Sequence, residues 1–211
     1  MAGRKRRRRG DPNESETAGK DRGVRLFVAI ELPVPVKDAL ARLQADIRET
    51  GLAAKWTRVD NIHLTLKFLG NTPVSAVNDI GAQLSASTAG FSPVRLNAAG
   101  LSVFPSVRRP RVMWTGLQGE TERLSRLQQQ VENHLAAIGF EKEGRAFTAH
   151  LTLARFNERV DPEHVISAIA DYGRFASGFF SADAVCLFES RLTPRGPVYT
   201  RLQSHLLAGG A

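Results

Sequence analysis

The chain has 211 residues, and its formal net charge of +8 comes from 29 Lys+Arg against 21 Asp+Glu. Apolar residues make up 42% and charged residues 24%, which excludes a chain disordered throughout and is ordinary for a globular protein of one domain or two lobes. No apolar run approaches the ~18 residues of a bilayer span. The basic start is not followed by an apolar segment of the secretory kind, and a single cysteine excludes an intrachain disulfide.

Residues 1–22 carry eight Lys/Arg and four Asp/Glu, including the run Arg4-Lys5-Arg6-Arg7-Arg8-Arg9. This segment lacks leucine, isoleucine, valine and aromatic residues, so it is expected to be a disordered basic tail, either an arm attracting nucleic acid or a solvated extension. The folded domain is then expected over 23–211, whose own charge is only mildly positive.

From Val24 the pattern becomes periodic. Leu26, Val28, Ile30 and Leu32 alternate as in a strand, which Pro33 and Pro35 end. Val36, Leu40, Leu43 and Ile47 recur at helical spacing up to Gly51. A strand is expected over 61–69, a turn at Gly70-Asn71-Thr72-Pro73, and a helix carrying Val74, Val77, Ile80 and Leu84. Strands over 94–103 and 111–117 flank an Arg108-Arg109-Pro110 connection. A long helix with Leu124, Leu127, Val131, Leu135 and Ile138 on one face follows and stops at Gly139. A strand over 147–156, a helix opened by Asp161 as N-cap and Pro162, and closing strands over 182–189 and 198–206 complete the chain. The short Pro/Gly connections suit antiparallel pairing, so the expected class is α+β, with helices on the outer faces of antiparallel sheets. Cys186, in the run Ala184-Val185-Cys186-Leu187-Phe188, reads as a buried inert thiol.

One tetrapeptide occurs twice: His63-Leu64-Thr65-Leu66 and His150-Leu151-Thr152-Leu153. On a strand, residues i and i+2 share a face, so each copy offers an imidazole and a hydroxyl on one surface and two leucines to the core. Two imidazoles facing each other near neutral pH can hold one proton between them, one taking a proton from water and the other giving one to a leaving oxygen. That is general acid–base chemistry for displacement at phosphorus, with Thr65, Thr152 and a nearby cation stabilising the non-bridging oxygens. Lys67 and Arg155 follow the two motifs. Lys67 lies on the parity of His63, whereas Arg155 reaches the His150 face only if a bulge or the strand's end intervenes. There is no cysteine pair and no His-x-x-x-His, so no metal site is expected. His134, His164 and His205 read as surface or structural histidines, and Phe27 and Phe104 as core aromatics that are also candidates for stacking on a base.

The stretches Trp56–Gly70 and Gly144–Arg155, with the opening Arg25–Pro33 and the ending Leu187–Pro194 with Tyr199, resemble the signatures of the LigT-like RNA 2',3'-cyclic phosphodiesterases of the 2H phosphoesterase superfamily. The resemblance spans about residues 24–206 and omits the basic tail; position 149 is Ala where the family commonly has proline. It implies two pseudo-symmetric lobes around a central groove. It also implies hydrolysis of a terminal 2',3'-cyclic phosphate to a 2'-phosphate without metal or other cofactor, with reverse 2'–5' ligation as a secondary activity. By that resemblance His63 donates a proton to the leaving 3'-oxygen, His150 accepts one from water, and Thr65, Thr152 and Arg155 hold the phosphate. The near-identical motifs do not by themselves distinguish the two histidine roles. The partner expected is RNA ending in a cyclic phosphate, acted on by a cytoplasmic monomer with no membrane involved. Small cyclic nucleotides or 2'–5' oligonucleotides as substrates, and a non-catalytic module that binds RNA ends, are the competing readings.

Overall fold

The computed structural model describes residues 23–209; the basic tail expected over 1–22 lies outside them. Among the described residues, nine strands and four α-helices follow in the order β1 (Gly23–Ile30), α1 (Val34–Glu49), β2 (Lys55–Trp56), β3 (Leu64–Pro73), α2 (Val77–Thr88), β4 (Val94–Phe104), β5 (Val112–Gly119), α3 (Thr121–Ala136), β6 (His150–Arg155), α4 (Pro162–Tyr172), β7 (Ala176–Ala182), β8 (Ala184–Thr193) and β9 (Gly196–Leu206). Short 3-10 turns occupy Val59–Asn61 and Val74–Ala76.

The strands form two antiparallel sheets, β3-β1-β8-β9 and β2-β6-β5-β4-β7, each holding one of the repeated motifs. The α+β class with two lobes is as expected. Helices α2 and α3 pack on the first sheet, while α1 and α4 lie together over the second. Thus α1 leaves a strand of the first sheet to cover the second, and α3 leaves the second to cover the first. One continuous apolar core joins the lobes, from Leu26, Val28 and Ile30 of β1 to Leu151 and Leu153 of β6. Helices α1 and α3 end at Gly51 and Gly139, whose φ angles of 79° and 97° lie where a side chain would be strained. The Phe104–Pro105 peptide is cis.

Four elements differ from the sequence reading. The expected turn at Gly70–Pro73 is the end of β3, paired with Gly23–Leu26. β7, in the small and polar run Ala-Ser-Gly-Phe-Phe-Ser-Ala, and the two-residue β2 carry too little alternation to be read. β6 begins at His150 and β3 just after His63, so each histidine stands at a strand's start rather than inside it.

Both motif strands bulge at the same place. Ala29 pairs with Thr65 and Val28 with Lys67, leaving Leu66 as an extra residue. Trp114 pairs with Thr152 and Met113 with Ala154, leaving Leu153 as an extra residue. An extra residue reverses the face on which the side chains after it stand, until a further bulge intervenes, as it does at Leu69 of β3. After the first bulge Lys67 therefore turns into the core, where it is only 6% exposed. Its Nζ meets Glu132 Oε2 of α3 at 2.6 Å and donates to the Glu141 carbonyl, also at 2.6 Å. The expectation that Lys67 shares the face of His63 is thus corrected, because strand parity does not survive the bulge. After the second bulge Ala154 is buried and Arg155 comes out on the face of Thr152 and Trp114.

At each bulge the carbonyl of the extra leucine accepts from a glutamine of a helix, and that of Leu153 also accepts from Thr57 N–H at 2.9 Å. Gln44 of α1, itself buried, donates to the Leu153 carbonyl at 2.8 Å and to the Thr57 carbonyl at 2.9 Å. Gln128 of α3 donates to the Leu66 carbonyl at 3.3 Å and to Glu132 Oε1 at 3.3 Å. His134 and His205 are tied to α2, through Gln83 and Ser85. Cys186 is buried, and burial pushes its thiol up from its ordinary value, against the opposing hydrogen bond with Ser204.

These buried polar contacts set the response to two substitutions. Lys67→Met leaves Glu132 buried without its cation and is expected to cost ~3–5 kcal/mol in urea unfolding. Adding Glu132→Leu should recover most of that loss, because an apolar pair needs no counter-charge. Gln44→Leu removes a buried and a partly buried bond to backbone carbonyls and is expected to cost ~1–3 kcal/mol in the same measurement.

Candidate active site

The groove-side face of the first sheet has its own small cluster of Phe27, Ala29, Cys186 and Phe188, with Tyr199 packed against it. His63 rests on this cluster. Its ring lies 4.7 Å from Phe27 in a stacked arrangement, 6.4 Å from Phe188, and edge-on to Tyr199 at 5.2 Å. His150 stands edge-on to Phe104 at 5.2 Å and to Trp114 at 6.1 Å, while Phe104 and Trp114 stack on each other at 4.7 Å. Each imidazole thus has an aromatic support, and each support comes from the strands beside its own motif.

The two rings are anchored alike. His63 Nδ1 bonds to the carbonyl of Asn61 at 2.9 Å, and His150 Nδ1 bonds to the carbonyl of Thr148 at 2.8 Å, in both cases two residues upstream. A carbonyl only accepts, so Nδ1 carries the hydrogen in both rings and Nε2 remains as the working atom. A neutral ring then offers a lone pair at Nε2, and a protonated ring offers an N–H there. The Asn61 anchor is itself held: its Nδ2 donates to the Pro197 carbonyl of β9 at 2.9 Å.

The rings differ in electrostatics. Burial against the aromatic cluster pushes His63 down to about 4. The Asn61 carbonyl opposes this, while the charges of His150 and Lys37 add to it. The charge of His150 thus reaches His63, and β3 lies in contact with β6. His63 is therefore neutral in the free protein near pH 7.

Thr65 and Thr152 are half-buried, in register with Ala29 and with Trp114 of the two supports. Neither hydroxyl has a hydrogen-bond partner among the described residues, so both remain available to a ligand. Arg155 is exposed and forms no ion pair among the described residues. Its charge is felt at Tyr199 on the other sheet, where burial raises the phenol and Arg155 and Arg25 oppose the rise. Its counterpart after the first bulge is Phe68, which is 69% exposed and lies 6.3 Å from Phe27. The cation therefore stands on the second-sheet side of the groove and an aromatic ring on the other.

Of the two aromatics considered for base stacking, Phe27 is 3% exposed and already covered by His63, whereas Phe104 is half-buried. Lys37, Asn61 and Phe68 escaped the sequence reading. Lys37 is one lysine on a helix, Asn61 acts through its backbone, and Phe68 takes its place only through the bulge. Tyr199 was visible only through the resemblance. Among the described residues, no group of three or more His, Cys, Asp or Glu is arranged to hold a metal ion, and no helix is long and apolar enough to cross a membrane.

The comparisons with known proteins point one way. The LigT-like phosphoesterase family model matches the chain twice in succession, over residues 30–114 and 116–199, so each match contains one His-x-Thr motif. A protein of Aeropyrum pernix named RNA 2',3'-cyclic phosphodiesterase is 33% identical over 77% of this chain and 92% of its own length. One of the same name from Archaeoglobus fulgidus is 32% identical over 85% of this chain and 98% of its own. Among solved structures, a Thermus thermophilus protein superposes with a TM-score of 0.72 at 27% identity, covering 89% of this chain and all of that one. LigT of E. coli in its apo form superposes at 0.69 with 22% identity, covering 88% and 98%. With both halves matched and the fold shared, the chain belongs to the LigT-like phosphoesterase family, a family of enzymes that cleave phosphate esters.

Proposed function

We propose that this enzyme hydrolyses the terminal 2',3'-cyclic phosphate of RNA to a 2'-phosphate, without a metal ion, by proton transfers through His63 and His150. The observation that carries the reading is the matched pair of imidazoles, each with Nδ1 committed to a backbone carbonyl and each followed by a threonine hydroxyl that no described residue engages. The names of the curated relatives supply the substrate class.

In this reading the cyclic phosphate lies between the two Nε2 atoms. His150 Nε2 takes a proton from water as the water oxygen bonds to phosphorus. The bond from phosphorus to the 3'-oxygen breaks, and His63 Nε2–H gives its proton to that oxygen. One proton enters the pair and one leaves it, and exchange with solvent resets the two rings. Thr65, Thr152 and the Arg155 guanidinium stabilise the charge on the non-bridging oxygens. The reverse course, attack of a hydroxyl-bearing chain end in place of water, would form a 2'–5' linkage at the same groove.

The low value for His63 bears on the assignment of roles. In the free protein His63 is in the acceptor form, while the family resemblance makes it the donor. The donor role therefore requires the bound phosphate anion to raise it.

Two measurements test the proposal. An RNA oligomer ending in a 2',3'-cyclic phosphate, incubated in EDTA, is expected to yield a 2'-phosphate, with His63→Ala and His150→Ala each slowing turnover ~10²–10⁴-fold. Near-wild-type rates in the His150 variant would overturn the acid–base pair, and turnover of cyclic mononucleotides alone would move the substrate to small cyclic phosphates. Separately, NMR titration should find His63 near 4 in the free protein and well above that with a nucleoside 2'-phosphate bound. If it stays low with the ligand bound, His63 is the proton acceptor and the two roles exchange.

A further inference from the structure

The strands that support His150 continue past the groove into a second basic feature. β4 ends at Phe104, whose ring is edge-on to His150, and the chain runs on through Pro105 to Arg111. β6 ends at Arg155 and runs on through Asn157 to Val160. The two continuations are pinned together where they leave the sheet: Arg111 N–H donates to the Phe104 carbonyl at 2.7 Å, and Phe156 N–H donates to the Arg111 carbonyl at 3.0 Å. Beyond these bonds they part and enclose a cleft of about 660 Å³. Arg108, Arg109, Arg111 and Arg159 line it against a single acid, Glu158.

The charge of this cleft is not consumed by the fold. All four arginines are exposed, and none of them forms an ion pair with another described residue. Four guanidiniums around an open cleft repel one another, and the nearby carboxylate offsets only one of them. An anion with several charges relieves that repulsion. Guanidiniums also suit phosphate oxygens, which they meet with two parallel hydrogen bonds. The cleft begins immediately past Arg155, and the four residues from Arg155 to Arg159 reach at most ~14 Å. The cleft therefore lies within a short reach of Arg155, which follows the His150 motif on the same strand.

We propose that this arginine cleft is a second anion site, which binds the phosphodiester backbone of the RNA strand upstream of its cyclic-phosphate end. The inference builds on the reading of the groove as the place where that end is held. It gives the enzyme a preference for an oligonucleotide over a mononucleotide, because only a longer strand reaches both sites. It also sets the direction of the strand, which leaves the histidines along the second sheet, past Arg155, rather than past Phe68. Contacts of this kind read backbone charge and carry no base preference.

The test uses the full chain, so the basic tail is common to every protein compared. In Arg108→Gln/Arg109→Gln/Arg159→Gln, binding of a fluorescent RNA oligomer with an ordinary 3'-hydroxyl end should weaken. The slope of log affinity against log salt should become shallower by about 2, since each single-strand phosphate contact contributes ~0.7. kcat/KM for a cyclic-phosphate oligomer should fall about tenfold or more at moderate salt, a loss consistent with two or three phosphate contacts. kcat/KM for a cyclic mononucleotide should not change. Glu158→Gln, which removes the one acid, should shift oligomer binding in the opposite direction. An unchanged salt slope in the triple variant overturns the cleft, and so does a mononucleotide rate that falls in step with the oligomer rate. If the wild-type protein turns over neither substrate, the functional reading fails, while the binding measurement still decides the cleft.

Discussion

An extra leucine in each motif strand governs what the groove contains. Without Leu66 and Leu153 outside the ladder, Lys67 would stand in the groove and Arg155 would face the core. The bulge reverses both and places a buried carbonyl where it needs partners from outside its own strand pair. Such a group is expensive to leave unmet; Gln128 meets the Leu66 carbonyl, and Gln44 together with Thr57 N–H meets that of Leu153. Each glutamine belongs to a helix that follows a strand of the opposite sheet. The helix exchange between lobes and the placement of the groove's side chains are therefore one arrangement: α1 secures the strand of His150, and α3 secures the strand of His63.

The same local device supports different residues in its two copies, and the differences make the groove asymmetric. In the first copy the positions after the bulge are Lys67 and Phe68, and in the second they are Ala154 and Arg155. The lysine braces the core through Glu132 where the alanine merely fills space. The aromatic ring and the guanidinium then take equivalent places on opposite sides of the groove. Duplication sets the backbone, and divergence at two positions sets the charge.

The parts legible in the sequence are those governed by simple periodicity. α1 and α3 have clean helical spacing, and their apolar positions Val36, Leu40, Leu43, Ile47, Leu124, Leu127, Val131 and Leu135 are buried, whereas β1 alternates in sequence but is buried on both faces from Leu26 to Ile30. The repeated His-x-Thr was visible because it depends only on residue type and spacing. Lys67 was misplaced because parity was extended across a bulge that residue types do not mark. β7 was missed because it pairs through its backbone with β4 while its residues are small and polar. Asn61 and Gln44 could not be read at all. Their importance lies in which carbonyl they present or satisfy, and that depends on partners 136 and 109 residues away.

The unequal burial of the two histidines bears on how a pair of like groups acquires unlike roles. Two identical imidazoles in identical surroundings would titrate together and share a proton without direction. The Phe27 cluster and the charges of His150 and Lys37 break that equality by holding His63 neutral in the free protein. Lifting that ring from about 4 to neutral pH takes about 4 kcal/mol, at 1.36 kcal/mol for each tenfold change in proton affinity. One anionic charge at contact distance, in the effective dielectric of a protein groove, supplies about 4 kcal/mol. In the proposed mechanism, where His63 is the donor, a single phosphate is thus sufficient to load it, and the burial that empties His63 also sharpens its response to the anion. On this account His63 takes up a proton when a phosphate binds and passes it to the leaving 3'-oxygen, while the proton that His150 takes from water returns to solvent.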